Sequence, residues 1–312
     1  MDDKCIGSSH GCVAFVKQKN CSIYLSSISP NNPRVIKLPR IEKLPAFTTW
    51  KYYGPTVDGV KRVAGFVYRG HNGYEHNKSF KHLSDHFFGK IVLSSAPKAS
   101  RPSITTCEDE DCTVVMTTNS YNSKLAFCKI GDDSCTHLEE DCFVRDVVYS
   151  SKYEKFYTLV DPTVDASEPR INIWDLRNRS SPKMYLLIKS SDYYYDLWDY
   201  SMPYLLELSG EFISWFDAEN QRFNLCWSLG DYAFFVGINE SFALNACEYP
   251  GIKSNCIYYG DHDFVSDGKN YASGGHDFGI FNFKTKRISL CFPEGGIQKL
   301  AAPPVWVMPN YD

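Results

Sequence analysis

The chain has 312 residues, of which 43% are hydrophobic and 15% aromatic, and it carries a net charge of −4. That is enough material for one large core or two modest ones. The acidic balance argues against nucleic acid as a partner, which calls for a basic patch or stripe, and the absence of any run of about 18 apolar residues argues against a transmembrane helix.

The chain opens MDDKC, with neither the basic n-region nor the apolar h-region of a secretory signal. It then reaches a Gly-Ser-Ser-His-Gly turn at 7–11. From there short strand-like runs follow one another: CVAFVKQ (12–18), CSIYLSSI (21–28) and RVIKLP (34–39). A second series holds KIVLSSAP (90–97), CTVVMTT (112–118), KLAFCKI (124–130) and CTHLEE (135–140). A third holds VRDVVYS (144–150), KFYTLVD (155–161), INIWDLR (171–177) and KMYLLIK (183–189). PYLLELS (203–209), EFISWFD (211–217) and RFNLCWSL (222–229) form a fourth. YAFFVGI (232–238), FALNACE (242–248), NCIYYGD (255–261), FGIFNF (278–283) and RISLCF (287–292) form a fifth.

Each run is short, apolar or alternating, and bounded by Gly, Pro, Asn, Asp or Ser, which is the pattern of strands and turns. HLSDHFF (82–88) is the best helix candidate. Groups of three or four strands recurring about every 45 residues predict an all-β fold, a β-propeller of about six irregular four-stranded blades. Residues 40–89 and 190–202 are strand-poor and read as long loops or irregular blade parts. Neither has the composition of a flexible linker, so one domain over 1–312 is expected. Trp174-Asp175 and Trp198-Asp199 evoke a WD repeat, but no Gly-His stands at repeat spacing before either.

Together these landmarks resemble the KIB-type β-propeller of plant F-box proteins, also called domain of unknown function 295. GSSHGCVAF (7–15) is similar to the family opening, which usually has a Trp where Cys12 stands. CSIYLSSISP with RVIKLP, KLAFCKIGDDSCTHL, FVRDVVYSSKYEKFYTL, INIWDL, PYLLELSGE, SLGDYAFFVGINESFAL, NCIYYGDHD, DFGIFNF and PPVWVMPN follow in family order over nearly the whole chain. The resemblance implies the substrate-recognition half of a ubiquitin-ligase receptor. The F-box that normally precedes the propeller has no counterpart here, so direct binding of the cullin-ligase adaptor is not expected. After EFISWFD the family usually has one more strand, so the fourth blade is expected to be short of one.

The chemistry-bearing motifs are sparse. His82 and His86 stand at i, i+4 but lack a third ligand. Asp261-His262-Asp263 reads as a turn. GSSHG lacks the helix that a nucleophile elbow demands, and no phosphate-cradling loop is present. Cys107 and Cys112 bracket four acids and read as a solvated connection. Of the twelve cysteines most sit in apolar runs, as small buried hydrophobes. The Asn-x-Ser sequons at Asn20, Asn77, Asn178 and Asn239 carry meaning only in an exported chain. No catalytic, cofactor or metal residue is assigned, and no enzyme activity is expected.

One stretch differs. Tyr193, Tyr194, Tyr195, Trp198 and Tyr200 lie among Asp196 and Asp199, an acidic density foreign to a core strand. Tyr and Trp favour interface hot spots, so these five are the candidate partner-binding residues. Trp50, Tyr52 and Tyr53 form a second, weaker group, and Trp306 is expected to pack between blades. Protein–protein recognition is the expected function, with the client unidentified. A small-molecule binder or enzyme using the propeller channel, or a truncated paralogue without function, are the alternatives. The cytoplasm or nucleus is the expected location.

Overall fold

A computed structural model describes residues 3–28, 34–40, 47–53, 63–69, 75–97, 112–118, 125–138, 143–161, 170–189, 204–208, 211–212, 228–260, 265–267, 271–273, 278–291 and 305–308. The chain divides into two compact units, residues 1–144 with 309–312, and residues 145–308.

The first unit opens with an antiparallel meander of β1 (Asp3–Ser9), β2 (Cys12–Lys17), β3 (Ile23–Ser27) and β4 (Val35–Lys37). The stretch expected to be a turn is mostly strand: Gly7, Ser8 and Ser9 belong to β1, and only His10 and Gly11 turn. Both have positive φ, 46° and 68°, and Ser9 pairs with Cys12 across them. Two left-handed central residues give the turn whose twist matches that of the flanking strands. In β2 Cys12, Ala14 and Val16 are buried while Val13 and Phe15 are less so, the alternation of a pleated strand. Phe15 stacks on its cross-strand partner Tyr24 at 5.4 Å.

Residues 40–89 depart from the sequence expectation. They contain a three-stranded sheet, β5 (Phe47–Tyr53), β6 (Val63–Arg69) and β7 (Glu75–Ser79), then the helix α1 (Phe80–His86). The sequence EHNKS of β7 has no apolar alternation to announce it. It is held by main-chain pairing with β6, where Gly65 meets Ser79 and Arg69 meets Glu75. Ser79 caps α1, its Oγ accepting from His82 N at 3.2 Å, and Leu83 is the buried side chain that docks the helix.

A second meander pairs β8 (Phe88–Leu93), β9 (Thr113–Thr118), β10 (Leu125–Lys129) and β11 (Thr136–Leu138). All six residues of β9 and four of five in β10 are buried. Burial on both faces explains their near-continuous apolar sequence. Ile91, Leu93, Val114, Met116 and Cys128 share one core with Ile6, Val16, Ile23 and Leu25.

The second unit holds a third meander, β12 (Phe143–Ser150), β13 (Lys155–Asp161), β14 (Arg170–Asp175) and β15 (Lys183–Lys189). β16 (Glu207–Leu208) pairs with β17 (Glu211–Phe212) within the expected runs PYLLELS and EFISWFD, and most of the second run falls outside the described residues. The expected shortage of a strand after residue 217 falls outside the described residues. Then come β18 (Tyr232–Val236), β19 (Phe242–Asn245), a 3-10 turn at Ala246–Glu248, and β20 (Cys256–Tyr259). A hairpin of β21 (Val265–Asp267) and β22 (Tyr271–Ser273) precedes β23 (Gly279–Asn282) and β24 (Arg287–Leu290). The last large sheet runs β19-β18-β20-β23-β24. Its β18–β20 pairing is parallel, Ala233 opposite Cys256 and Val236 opposite Tyr259, so this sheet is not a simple meander. Trp306 stacks on Phe278 at 4.8 Å and meets Phe235 edge-on at 5.3 Å. It therefore packs inside the second unit.

The fold is all-β: among the described residues stand four sheets of four or five strands, one three-stranded sheet and two hairpins.

Candidate interaction surface

The five aromatic residues Tyr193, Tyr194, Tyr195, Trp198 and Tyr200, and also Asp261, His262 and Asp263, lie outside the described residues. Tyr53 is half-exposed in β5.

His82 and His86 do share one face of α1, ring centroids 4.9 Å apart. Burial first, then the positive neighbours Lys78 at His82 and Lys4 at His86, hold both imidazoles below their ordinary pKa. Among the described residues no group of three metal-ligating side chains gathers. The Gly-Ser-Ser-His-Gly stretch joins two strands, and no helix follows it. The buried acids of the second unit serve the backbone. Asp146 accepts from Leu205 N at 2.7 Å and Val147 N at 2.8 Å, and Glu240 accepts from Tyr149 N at 3.3 Å.

The most distinctive surface is the outer strand of the β12–β15 sheet. Along β14, Trp174 and Asn172 are buried, the indole Nε1 donating to Thr158 Oγ1 at 3.2 Å. Their partners in β15, Met184 and Leu186, are 46% and 49% exposed, and Tyr185 between them is 48% exposed. Three consecutive large apolar side chains thus face solvent on both faces of one strand. The regular ladder runs from Asp175–Lys183 to Asn172–Leu186 and then breaks at a bulge beside Leu187.

One end of this sheet is basic. The β12–β13 turn carries Lys152 and Glu154, and the β14–β15 turn carries Arg177 and Arg179. Ion pairs tie the two turns together: Lys155 Nζ to Asp175 Oδ2 at 3.0 Å and Arg177 to Glu154 at 3.7 Å. Arg177 also donates Nε to Asp175 Oδ1 at 2.9 Å and Nη2 to Oδ2 at 2.6 Å. The guanidinium's hydrogen bonds, ahead of those from Lys155, hold the Asp175 carboxyl well below the usual carboxylate range. Lys152, Lys155, Arg177, Arg179 and Lys183 are five cations against the two carboxylates Glu154 and Asp175. Among the described residues this end is therefore positive, in a chain that is negative as a whole.

KMYLLIK reads in the sequence only as another strand. The signal available there was the basic turn RNRSSPK directly before an unbroken apolar run.

Sheets of four antiparallel strands, repeated along the chain, define a blade-built, all-β fold. The chain belongs to the KIB1-4 beta-propeller family, whose model matches residues 1–282. No curated protein and no solved structure matches it. No helix among the described residues is long and apolar enough to cross a membrane.

Proposed function

We propose that this protein is a protein–protein recognition module, similar in role to the substrate-recognition propeller of plant F-box proteins and working in the cytoplasm or nucleus. A single propeller domain of about six blades over residues 1–312 is part of that proposal. The observation that carries it is the outer strand β15, where Met184, Tyr185 and Leu186 are exposed together beside a basic end. Exposed apolar side chains grouped on one strand mark interaction sites on soluble proteins. The reading as a channel enzyme finds no comparable support, since the buried acids Asp146 and Glu240 accept backbone amides.

Affinity capture of the tagged chain from plant cells, with mass spectrometry of what is retained, tests the proposal. A discrete client without adaptor or cullin subunits is the expected result. Recovery of the adaptor would overturn the expectation that it does not bind directly. Recovery of chaperones alone would overturn the recognition reading.

A further inference from the structure

Resting on that recognition reading, we propose that β15 receives an extended acidic peptide segment of a partner protein, added antiparallel as a fifth strand to the β12–β15 sheet. Among the described residues β15 is the last strand of its sheet. An outer strand presents a second row of main-chain donors and acceptors to whatever extended chain lies beside it.

The stretch that can template such a ladder is short. Lys183, Met184, Tyr185 and Leu186 pair regularly with Asp175, Trp174, Ile173 and Asn172. The bulge beyond Leu186 re-aims the strand and ends the template there. Within it, Met184 and Leu186 line one face and Lys183 and Tyr185 the other, and all four are exposed. An added strand would therefore find apolar contact on both faces as well as a ladder.

Charge selects the occupant. Lys183 begins the template, and Lys152, Arg177 and Arg179 stand exposed on the turns at that end. A basic segment would be repelled there and an acidic one attracted. In the antiparallel direction the peptide's C-terminal half lies beside Lys183, so its carboxylates follow its apolar residues. β24 also exposes Ile288 and Leu290 at the edge of its sheet. It lacks the run of three apolar residues and the second basic turn.

The test uses the full chain and a fluorescein-labelled octapeptide, Val-Thr-Val-Thr-Val-Glu-Asp-Glu, followed by fluorescence anisotropy. Saturable binding is expected, weakening with salt. It should fall at least tenfold when the acids are replaced by Lys, and by a similar factor in the double variant Arg179→Glu, Lys183→Glu. Both substituted residues are exposed, and circular dichroism checks that the fold is kept. Backbone N-methylation at alternate peptide residues should abolish binding in one register and spare it in the other. Absence of saturable binding overturns the proposal, and so does tolerance of both methylated registers. Equal binding of an eight-nucleotide uridine RNA, with the same sensitivity to the double variant, would make the surface a plain polyanion patch and overturn it too. A cellular client captured equally by wild type and double variant would leave the recognition reading standing and overturn the edge site. Register-dependent peptide binding with no client captured would do the reverse.

Discussion

The backbone amide of Trp306 donates to Asn239 Oδ1 at 3.3 Å, across 67 positions of sequence. Asn239 is fully buried, and its Nδ2 donates to the Glu240 carbonyl at 2.7 Å. One side chain thus ties the C-terminal segment to the turn that follows β18, while the indole of Trp306 fills the space among Phe235, Tyr258 and Phe278. Trp306→Ala should cost about 2–4 kcal/mol, the range for removing a large aromatic that is not fully buried. Trp306→Phe should cost less, since it keeps part of the stacking. Urea midpoints of the two variants check this, and a midpoint for Trp306→Ala equal to wild type would refute it.

Asp175 collects Lys155 and Arg177 at the basic end of the β12–β15 sheet. Its carboxyl is lowered relative to the unfolded chain, so its stabilisation is present above the unfolded pKa of about 4 and is lost as pH falls through the lower folded value. Arg177 is well exposed, so solvent screening keeps the stability that the pair contributes to a small amount. Asp175→Asn should therefore lose that much at pH 7, and the gap to wild type should narrow progressively below about pH 4. It should also shrink in 1 M salt. Denaturant titrations across pH and salt measure both trends.

Gly65 lies in β6 opposite Ser79 of β7. A Cβ at this position would stand 1.9 Å from the carbonyl oxygen of Lys78, a main-chain atom that cannot rotate away. Gly65→Ala should destabilise the protein by about 2 kcal/mol or more, the scale of overpacking in a tight site. Amide hydrogen exchange should rise in β5, β6 and β7 above its rise elsewhere. Unchanged protection in β6 and β7 would show that the strands separate without cost.

Thiol reactivity should be uneven. Among the described cysteines Cys247 is the exposed one. Burial pushes the Cys12 and Cys291 thiols up to about 11, and the thiolate is the species that alkylates. Native-state labelling with iodoacetamide at pH 8 should modify Cys247 ahead of Cys12, Cys256 and Cys291. Peptide mass mapping reads the order, and early modification of Cys12 would contradict the packing around β2.

Legibility in the sequence follows how local each signal is. KFYTLVD and KMYLLIK coincide with β13 and β15, because short apolar, β-prone runs and flanking turn residues act within a few positions. EHNKS, which forms β7, carries no such signal, and its conformation comes from pairing with β6. The strands β21 and β22, three residues each, are too short to show a period. The basic end of the β12–β15 sheet was equally hidden. Lys155 and Asp175 are twenty residues apart, and only strand pairing brings their turns together.

By itself the sequence determined that this chain is all-β, where most strands begin and end, and that a turn precedes Cys12. Those features depend on side-chain period and on backbone freedom at single residues. Tertiary structure alone decided that β20 lies parallel to β18 and that Met184, Tyr185 and Leu186 face solvent. Five apolar residues in a row, Met184 to Ile188, read as a strand buried on both faces. What keeps the first three of them exposed is position: among the described residues β15 comes last in its sheet, with a neighbour along one edge.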